Sequence, residues 1–336
     1  MPADTAVEVV GLELANPVIA GSGEATMTRE GIMAALHAGA AAVVAKSVNE
    51  SEDARRQLAD AEYVLLDEHW RPLPWGPAPR GASLLCRSGL GGEPFERWVA
   101  TLADCDRLAR DRDAFVIASI VVADPAEAVR MAMTFEQAGL RWLELNLGSP
   151  HASEAAADAI RAEHEAAPVA SLVRSVRNAV SMTLTVKLSG EGDPLPAVEA
   201  AWGAGADAVC LAGRHLGFLP DVETRRPLLG TFGAIGGGWS LPLTLRWIAK
   251  ARARLGPELP IIGTNGARDG LDVIRFLLAG ARAVEMTTAV ITDGASALTR
   301  ALDDVREYMS QHGRTAAEIV GEAADSALTY QEAAKR

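Results

Sequence analysis

Two lysines stand at the ends of short apolar runs: Lys46 in Val43-Val44-Ala45-Lys46-Ser47 and Lys187 in Leu184-Thr185-Val186-Lys187-Leu188. A buried ammonium without a partner is costly, so such lysines face an anionic ligand or a carboxylate. For Lys187 that carboxylate could be Glu144, and a Schiff-base amine is a further possibility. A third run ends in Glu144-Leu145-Asn146-Leu147-Gly148-Ser149-Pro150-His151, which puts polar Asn146, Ser149 and His151 where the run opens into a loop. A loop serine is usually a turn former, and without a partner base its hydroxyl is a poor proton acceptor.

Two further segments, Ile262-Gly263-Thr264-Asn265-Gly266 and Glu285-Met286-Thr287-Thr288-Ala289, close the last two apolar runs of the chain. Glycine-freed backbone N–H groups with a helix start behind them make a phosphate cradle. Taken singly, Gly263 and Gly266 could simply turn the chain, and Thr287 and Thr288 could simply cap a helix. Their paired position favours a phosphate-bearing ligand.

The elements that must hold these residues read as alternating strands and helices. Eight β-like runs are predicted: Val18–Ala20, Ala42–Lys46, Phe115–Val121, Trp142–Leu145, Leu184–Leu188, Ala208–Ala212, Pro260–Gly263 and Ala283–Met286. Between them lie segments of helical spacing, such as Thr28–Ala38, Pro125–Ala138, Val169–Ala179, Leu241–Arg254 and Gly270–Ala279, several ending in Ala-Gly. This alternation predicts an α/β fold, a single (β/α)8 TIM barrel over residues 1–315 with a helical or frayed tail over 316–336. A doubly wound sheet would want G-x-G-x-x-G after the first strand, and Gly21-Ser22-Gly23-Glu24 stops short of it. Three connections are unusually long: Ser47 to about Pro94, Gly148 to about Pro168, and Gly213 to Gly238. In a barrel such loops belong over the C-terminal face, as lids or binding loops.

Composition narrows the partners. With 32 Lys+Arg against 44 Asp+Glu the net charge is −12, so a long polyanion is repelled and nucleic acid is not expected. Cys86, Cys105 and Cys210 share no C-x-x-C spacing, so neither an iron–sulfur cluster nor a zinc site is expected from them. His164 and His215 lie in loops outside any metal-binding spacing, and no metal is expected. The polar start of the chain lacks the features of a signal peptide, and no run is long and apolar enough for a membrane span, so a cytoplasmic location is expected.

With these residues assembled, the chain resembles the dihydroorotate dehydrogenase family of FMN barrels from about Val7 to Arg314. The resemblance is carried by Asn16-Pro17 through Gly21-Ser22-Gly23, Ala45-Lys46-Ser47, Glu144-Leu145-Asn146-Leu147, Val186-Lys187-Leu188, Gly233-Ala234-Ile235-Gly236-Gly237, Ile262-Gly263-Thr264-Asn265-Gly266 and Thr287-Thr288-Ala289. It implies FMN as cofactor, with Gly21, Ser22, Gly23, Lys46, Ser47, Asn146, Lys187, Gly213, Gly236 and Gly237 around the ring. Gly263, Thr264, Asn265, Gly266, Thr287 and Thr288 would hold its phosphate. It also implies hydride transfer between a substrate carbon and flavin N5, with Lys187 stabilising the reduced ring and Ser149 moving the second proton. Lys46, Cys86, Asn146 and His151 would face the substrate.

The departures bear on that substrate. The family grips orotate with asparagines, of which Asn146 remains, whereas Cys86, His151 and Gly213 stand at the other positions. A site missing those amides should reject orotate's polar edge. Pro150-His151 is similar to the dihydropyrimidine dehydrogenase branch, which carries Cys where Ser149 stands. The expectation is therefore an FMN-dependent oxidoreductase acting on a small cyclic or conjugated amide-like substrate, with a place in pyrimidine metabolism as one possibility. Dihydroorotate or dihydropyrimidine oxidation proper is its alternative. Its electron partner would be a soluble small molecule or a separate redox protein, and the family implies a homodimer. Two rivals of other classes are a Schiff-base lyase using Lys187 and a non-catalytic flavin-binding subunit.

Overall fold

A computed structural model describes residues 4–51, 54, 61–87, 89–90, 92–148 and 165–335. The eight expected strands close into one parallel barrel: β3 (Val18–Ala20), β4 (Ala42–Val44), β7 (Phe115–Val121), β8 (Trp142–Asn146), β9 (Thr183–Lys187), β10 (Ala208–Leu211), β15 (Ile261–Thr264) and β16 (Ala283–Met286). Each strand pairs with the next in chain order, and β16 returns to β3 through Val284 opposite Val18. Helices over Arg29–His37, Phe95–Arg110, Pro125–Gln137, Ala166–Ala179, Leu195–Gly203, Leu241–Leu255, Gly270–Ala279 and Ser296–His312 cover the outside. The strands are buried on both faces and largely apolar, because helices pack outside and side-chain layers fill the inside. Gly280 ends its helix with φ 111°, the left-handed turn expected from Ala279-Gly280-Ala281.

Strand ends shift by one or two residues from the sequence expectation, and one shift matters. Lys46 lies outside β4, because its N–H leaves the barrel ladder and donates to the Thr26 carbonyl at 3.0 Å. Its side chain is thereby turned across the mouth.

Sequence reading left two long connections as loops, yet they fold together into a second sheet. β5 (Glu62–Leu66) and β6 (Ser83–Arg87) come from the connection after β4, and β11 (His215–Gly217) and β14 (Gly233–Gly237) from that after β10. They form an antiparallel sheet in the order β11-β14-β6-β5. Pairing between segments this far apart in the chain leaves no local signature. Shorter additions are the hairpin of β1 (Val7–Val9) and β2 (Leu12–Leu14) and the pair β12 (Pro220–Asp221) with β13 (Arg226–Pro227). In the tail, short helical turns lie at Ala317–Ile319, Glu322–Asp325 and Tyr330–Ala333, and Ala316 and Ile319 are buried in the barrel's own core.

Gly263 on β15 illustrates how tightly barrel and helices interlock. A methyl added there would stand 2.2 Å from the ring of Phe276, which is fully buried on the helix Gly270–Ala279. Overpacking of this kind typically costs about 1–3 kcal/mol. Gly263→Ala should therefore lower the urea midpoint with an unchanged slope, the mark of lost stability rather than an altered unfolded state.

Candidate active site

A cleft of about 920 Å³, counting its open mouth, lies at the C-terminal end of the barrel. Ligand cavities commonly fall within about 300–1,000 Å³. Of the residues expected to hold the cofactor, Ser22, Lys46, Ser47, Asn146, Lys187 and Gly213 line this cleft, as do Gly237, Thr264, Asn265, Gly266, Thr287 and Thr288. Gly89, Leu90, Val121, Gly148, Arg214, Ala267 and Glu285 join them without having been singled out for the site. Ser149 and His151 lie outside the described residues.

Six of the expected glycines make room for protein rather than for a ligand. Gly21 leaves space for the Thr287 hydroxyl, 2.2 Å from where a methyl would sit, and Gly23 for the Thr287 methyl at 3.0 Å. Gly236 faces the side-chain oxygen of Asn265, and Gly263 faces Phe276. A methyl on Gly237 would stand 2.7 Å from the Ala82 carbonyl oxygen, and one on Gly266 2.6 Å from the Leu241 backbone. Asn265 adopts φ 69°, which asparagine tolerates, and its amide is spent on the protein. Its Nδ2 donates to the Gly213 carbonyl at 3.1 Å, and its Oδ1 accepts from Ser240 Oγ at 2.9 Å. Asn265 thus ties the loop after β15 to the loop after β10.

The floor is built by strand register. Asn146 stands opposite Lys187, Lys187 opposite Cys210, and Thr264 opposite Glu285, while Ser119 and Glu144 pair one layer below. The Lys187 ammonium is hydrogen-bonded to Glu285, and Glu144 Oε2 lies 3.6 Å away. Cys210 Sγ donates to Glu285 Oε1 at 3.4 Å, and Ser119 Oγ donates to Glu144 Oε1 at 3.2 Å. A chain of hydroxyls continues to the mouth, Ser119 to Ser47 at 2.9 Å and Ser47 to Ser22 at 3.4 Å.

The carboxylates and the thiol would also suit a cation, with ligand atoms within 4.8 Å of one another, and Lys187 supplies that positive charge. Burial favours the neutral amine, but the Glu144 and Glu285 charges outweigh it and hold Lys187 above the ordinary lysine range. An amine kept protonated is a poor nucleophile, which speaks against a Schiff-base role. Burial and the Glu285 charge push Glu144 up to about 8. Glu285 feels the same burial, yet Lys187 and its hydrogen-bond donors bring it below the usual carboxylate range.

Lys46 is paired as well: its Nζ donates to Glu24 Oε1 at 2.5 Å. Burial lowers Lys46 from the ordinary lysine value, with Glu24 opposing. Glu24 is buried too, but the Lys46 charge and hydrogen bond bring it below the usual carboxylate value. Arg214 reaches over this pair from the end of β10 and hydrogen-bonds the sulfur of Cys86 on β6. Cys86 itself is fully buried, burial raises its pKa, and it stands behind Arg214 rather than on the cleft wall.

Sequence reading missed Arg214, Glu24 and Glu285 as site residues. Glu285 sits between Val284 and Met286 on a buried strand, and that isolated acid in an apolar run was the signal available. Arg214 and Glu24 carried none: Arg214 leads into the second sheet at β11, and Glu24 opens a 3-10 turn after β3.

These residues suit FMN. Gly213 gives the cleft a stretch of wall without a side chain, against which a flat ring can lie close. Lys187 lies on the floor of the cleft, and Thr264, Thr287 and Thr288 line it where β15 and β16 end. That group would meet the phosphate and Lys187 the ring.

Comparison with known proteins agrees. A sequence model of the family described as dihydroorotate dehydrogenase matches residues 77–309. The chain is 33% identical over 332 residues to the dihydroorotate dehydrogenase B (NAD(+)) catalytic subunit of Desulforudis audaxviator, covering 96% of this chain and 98% of that one. The protein of the same name from Methanopyrus kandleri is 32% identical over 289 residues, 84% of each chain. That from Pyrococcus furiosus is 29% identical over 318 residues, 94% of this chain and 97% of its own. Among the described residues no helix is long and apolar enough to cross a membrane. Barrel, floor lysine, threonine cradle and relatives of nearly the same length converge: the chain belongs to the dihydroorotate dehydrogenase family and is an FMN-dependent oxidoreductase acting on a CH–CH bond.

Proposed function

We propose that the enzyme acts on a small cyclic or conjugated amide-like substrate other than dihydroorotate. The observation that carries this reading is the wall beyond the end of β10, next to the strand of the floor lysine. There Cys86 is turned away behind Arg214, Gly213 has no side chain, and Arg214 fills the space between. A pocket wall without amide groups leaves carbonyls and N–H groups of orotate's edge unpaired, and each polar group buried without a partner typically costs about 1–3 kcal/mol.

Bound FMN supplies a two-electron centre whose N5 exchanges a hydride with a substrate carbon. The chain's own residues do the rest. Lys187 presents positive charge to the ring, Asn146 orients the substrate from the end of β8, and Ser149 holds the proton exchanged at the neighbouring carbon. Ser149→Ala should leave FMN in place and slow reduction of the flavin by substrate by at least about 10²-fold. Stopped-flow bleaching checks this, and an unchanged rate removes Ser149 from the proton transfer.

The second reading is dihydroorotate dehydrogenase proper, favoured by the names and lengths of the relatives and by the retained Lys46 and Asn146. Anaerobic titration of the purified flavoprotein with dihydroorotate, dihydropyrimidines and other cyclic amides separates the two. Rapid bleaching by dihydroorotate alone installs the second reading. Failure of every candidate to bleach bound FMN points instead to a flavin-binding partner subunit. The relatives are named catalytic subunits, so we further propose a separate redox protein or a soluble small molecule as electron partner, and a homodimeric assembly.

A further inference from the structure

The floor cluster holds more acid than the lysine needs. Glu285 accepts hydrogen bonds from Lys187 and Cys210. Glu144 is 1% exposed, and its Oε2 is buried with no hydrogen-bond donor facing it. At 3.6 Å Lys187 is too far to donate to that oxygen. Two ionised carboxylates with one ammonium would leave a net negative charge in an apolar barrel core, which is costly. A single proton on Glu144 settles both problems. The cluster becomes neutral, and the orphaned oxygen becomes an O–H that can donate to Glu285. Two carboxyls that cannot both ionise at short range are known to share a proton in this way.

We propose that Glu144 and Glu285 form a one-proton carboxyl pair that clamps and neutralises Lys187, and so sets how strongly this lysine favours reduced FMN. Both are positioning residues, acting through Lys187, and the proposal rests on the reading that Lys187 faces the flavin. Hydride uptake brings two electrons and one proton, so the flavin gains one negative charge. A bare lysine would stabilise that charge strongly, whereas a lysine within a neutral triad does so less. The clamp therefore holds the flavin's potential down.

The groups facing Glu144 are Ser119 on β7, Lys187 on β9, Cys210 on β10 and Glu285 on β16. Burial and the Glu285 charge hold the Glu144 carboxyl up to about 8. New negative charge on the flavin raises it further. Above pH about 8, reduction should then draw in an additional proton, and the potential should fall more steeply with pH than below it.

The test is the midpoint potential of FMN in the holoenzyme, read by visible absorption. In Glu285→Gln the remaining Glu144 can ionise and pair with Lys187, and in Glu144→Gln Glu285 already does. Either single variant should shift the potential little and lose the steep segment above pH about 8. The double variant leaves Lys187 uncompensated and should raise the ratio of reduced to oxidised FMN affinity at least about tenfold, a rise of about 30 mV for a two-electron couple. A double variant with the wild-type potential overturns the clamp. If it fails to fold, the wild-type and Glu144→Gln pH curves decide, and parallel curves overturn the clamp. Lys187→Met in the same series tells the two ideas apart. A lowered potential there with an unchanged double variant sinks the clamp alone. An unchanged potential in Lys187→Met means that Lys187 does not face the flavin, and both ideas fall.

Discussion

Lys187→Met should slow reduction of bound FMN by substrate by about 10²–10³-fold, the usual cost of losing one fixed group that stabilises developing charge. The variant should also lose stability in a pH-dependent way. Methionine matches the stem of the lysine but leaves Glu144 and Glu285 facing each other without a cation. Removing one partner of a buried ion pair typically costs about 3–5 kcal/mol. In the native protein the Glu144 carboxyl, pushed up to about 8 from an ordinary 4.5, contributes stability that is complete below 4.5 and lost as pH rises through 8. Without Lys187, Glu285 loses the charge that brings it below the ordinary range and joins Glu144 on the raised side. The melting temperature of the variant should therefore fall away from that of the parent as pH rises from mildly acidic towards 8. Lys187→Arg should restore most of the stability and little of the rate, because a planar guanidinium keeps the charge without reproducing the ammonium's position. Normal stopped-flow rates in Lys187→Met would remove this lysine from the chemistry.

The parts of this site that sequence made legible are those fixed by the barrel's own repeat. A strand end in an eight-fold barrel faces the mouth, so Lys187, Asn146, Thr264 and the pair Thr287 and Thr288 could be placed once the strands were counted. Lys46 was read as a strand end facing the mouth, but it lies two residues beyond β4, and its partner Glu24, from the 3-10 turn after β3, is not implied by any spacing. What stayed hidden depends on contacts distant in the chain. The second sheet joins strands separated by more than a hundred residues, such as β6 and β14, and its pairing turns Cys86 to Arg214 instead of to the cleft. The glycines show the same divide. Each was recognisable as a place where a side chain is unwelcome, but whether the space belongs to a ligand, to Phe276 or to Thr287 is decided only by packing.

That divide can be tested where three strand ends meet at the mouth. Leu147 N donates to the Lys187 carbonyl at 2.9 Å, and Gly213 N donates to the Leu188 carbonyl at 3.1 Å, so the ends of β8, β9 and β10 are pinned together around Gly148. A methyl at Gly148 would stand 2.7 Å from both the Leu188 carbonyl carbon and the Ser189 nitrogen. Both are backbone atoms, and no rotamer change relieves the contact. Gly148→Ala should destabilise the fold by about 1–3 kcal/mol through overpacking. It should also push apart the strand ends that carry Asn146 and Lys187. A displacement of about 1 Å at reacting groups is enough to lose about 10²-fold in rate. Gly213→Ala is the informative partner. Its methyl would meet the Gly148 carbonyl oxygen at an ordinary 3.4 Å, so the chain should accept it with little loss of stability. If Gly213 is bare to leave room for ligand, the alanine variant should melt like the parent yet bind FMN or substrate more weakly, read by fluorescence recovery as FMN dissociates. Two variants with matching losses of stability and of FMN affinity would mean that both glycines serve the chain, and that the cleft wall is shaped by strand packing before any ligand arrives.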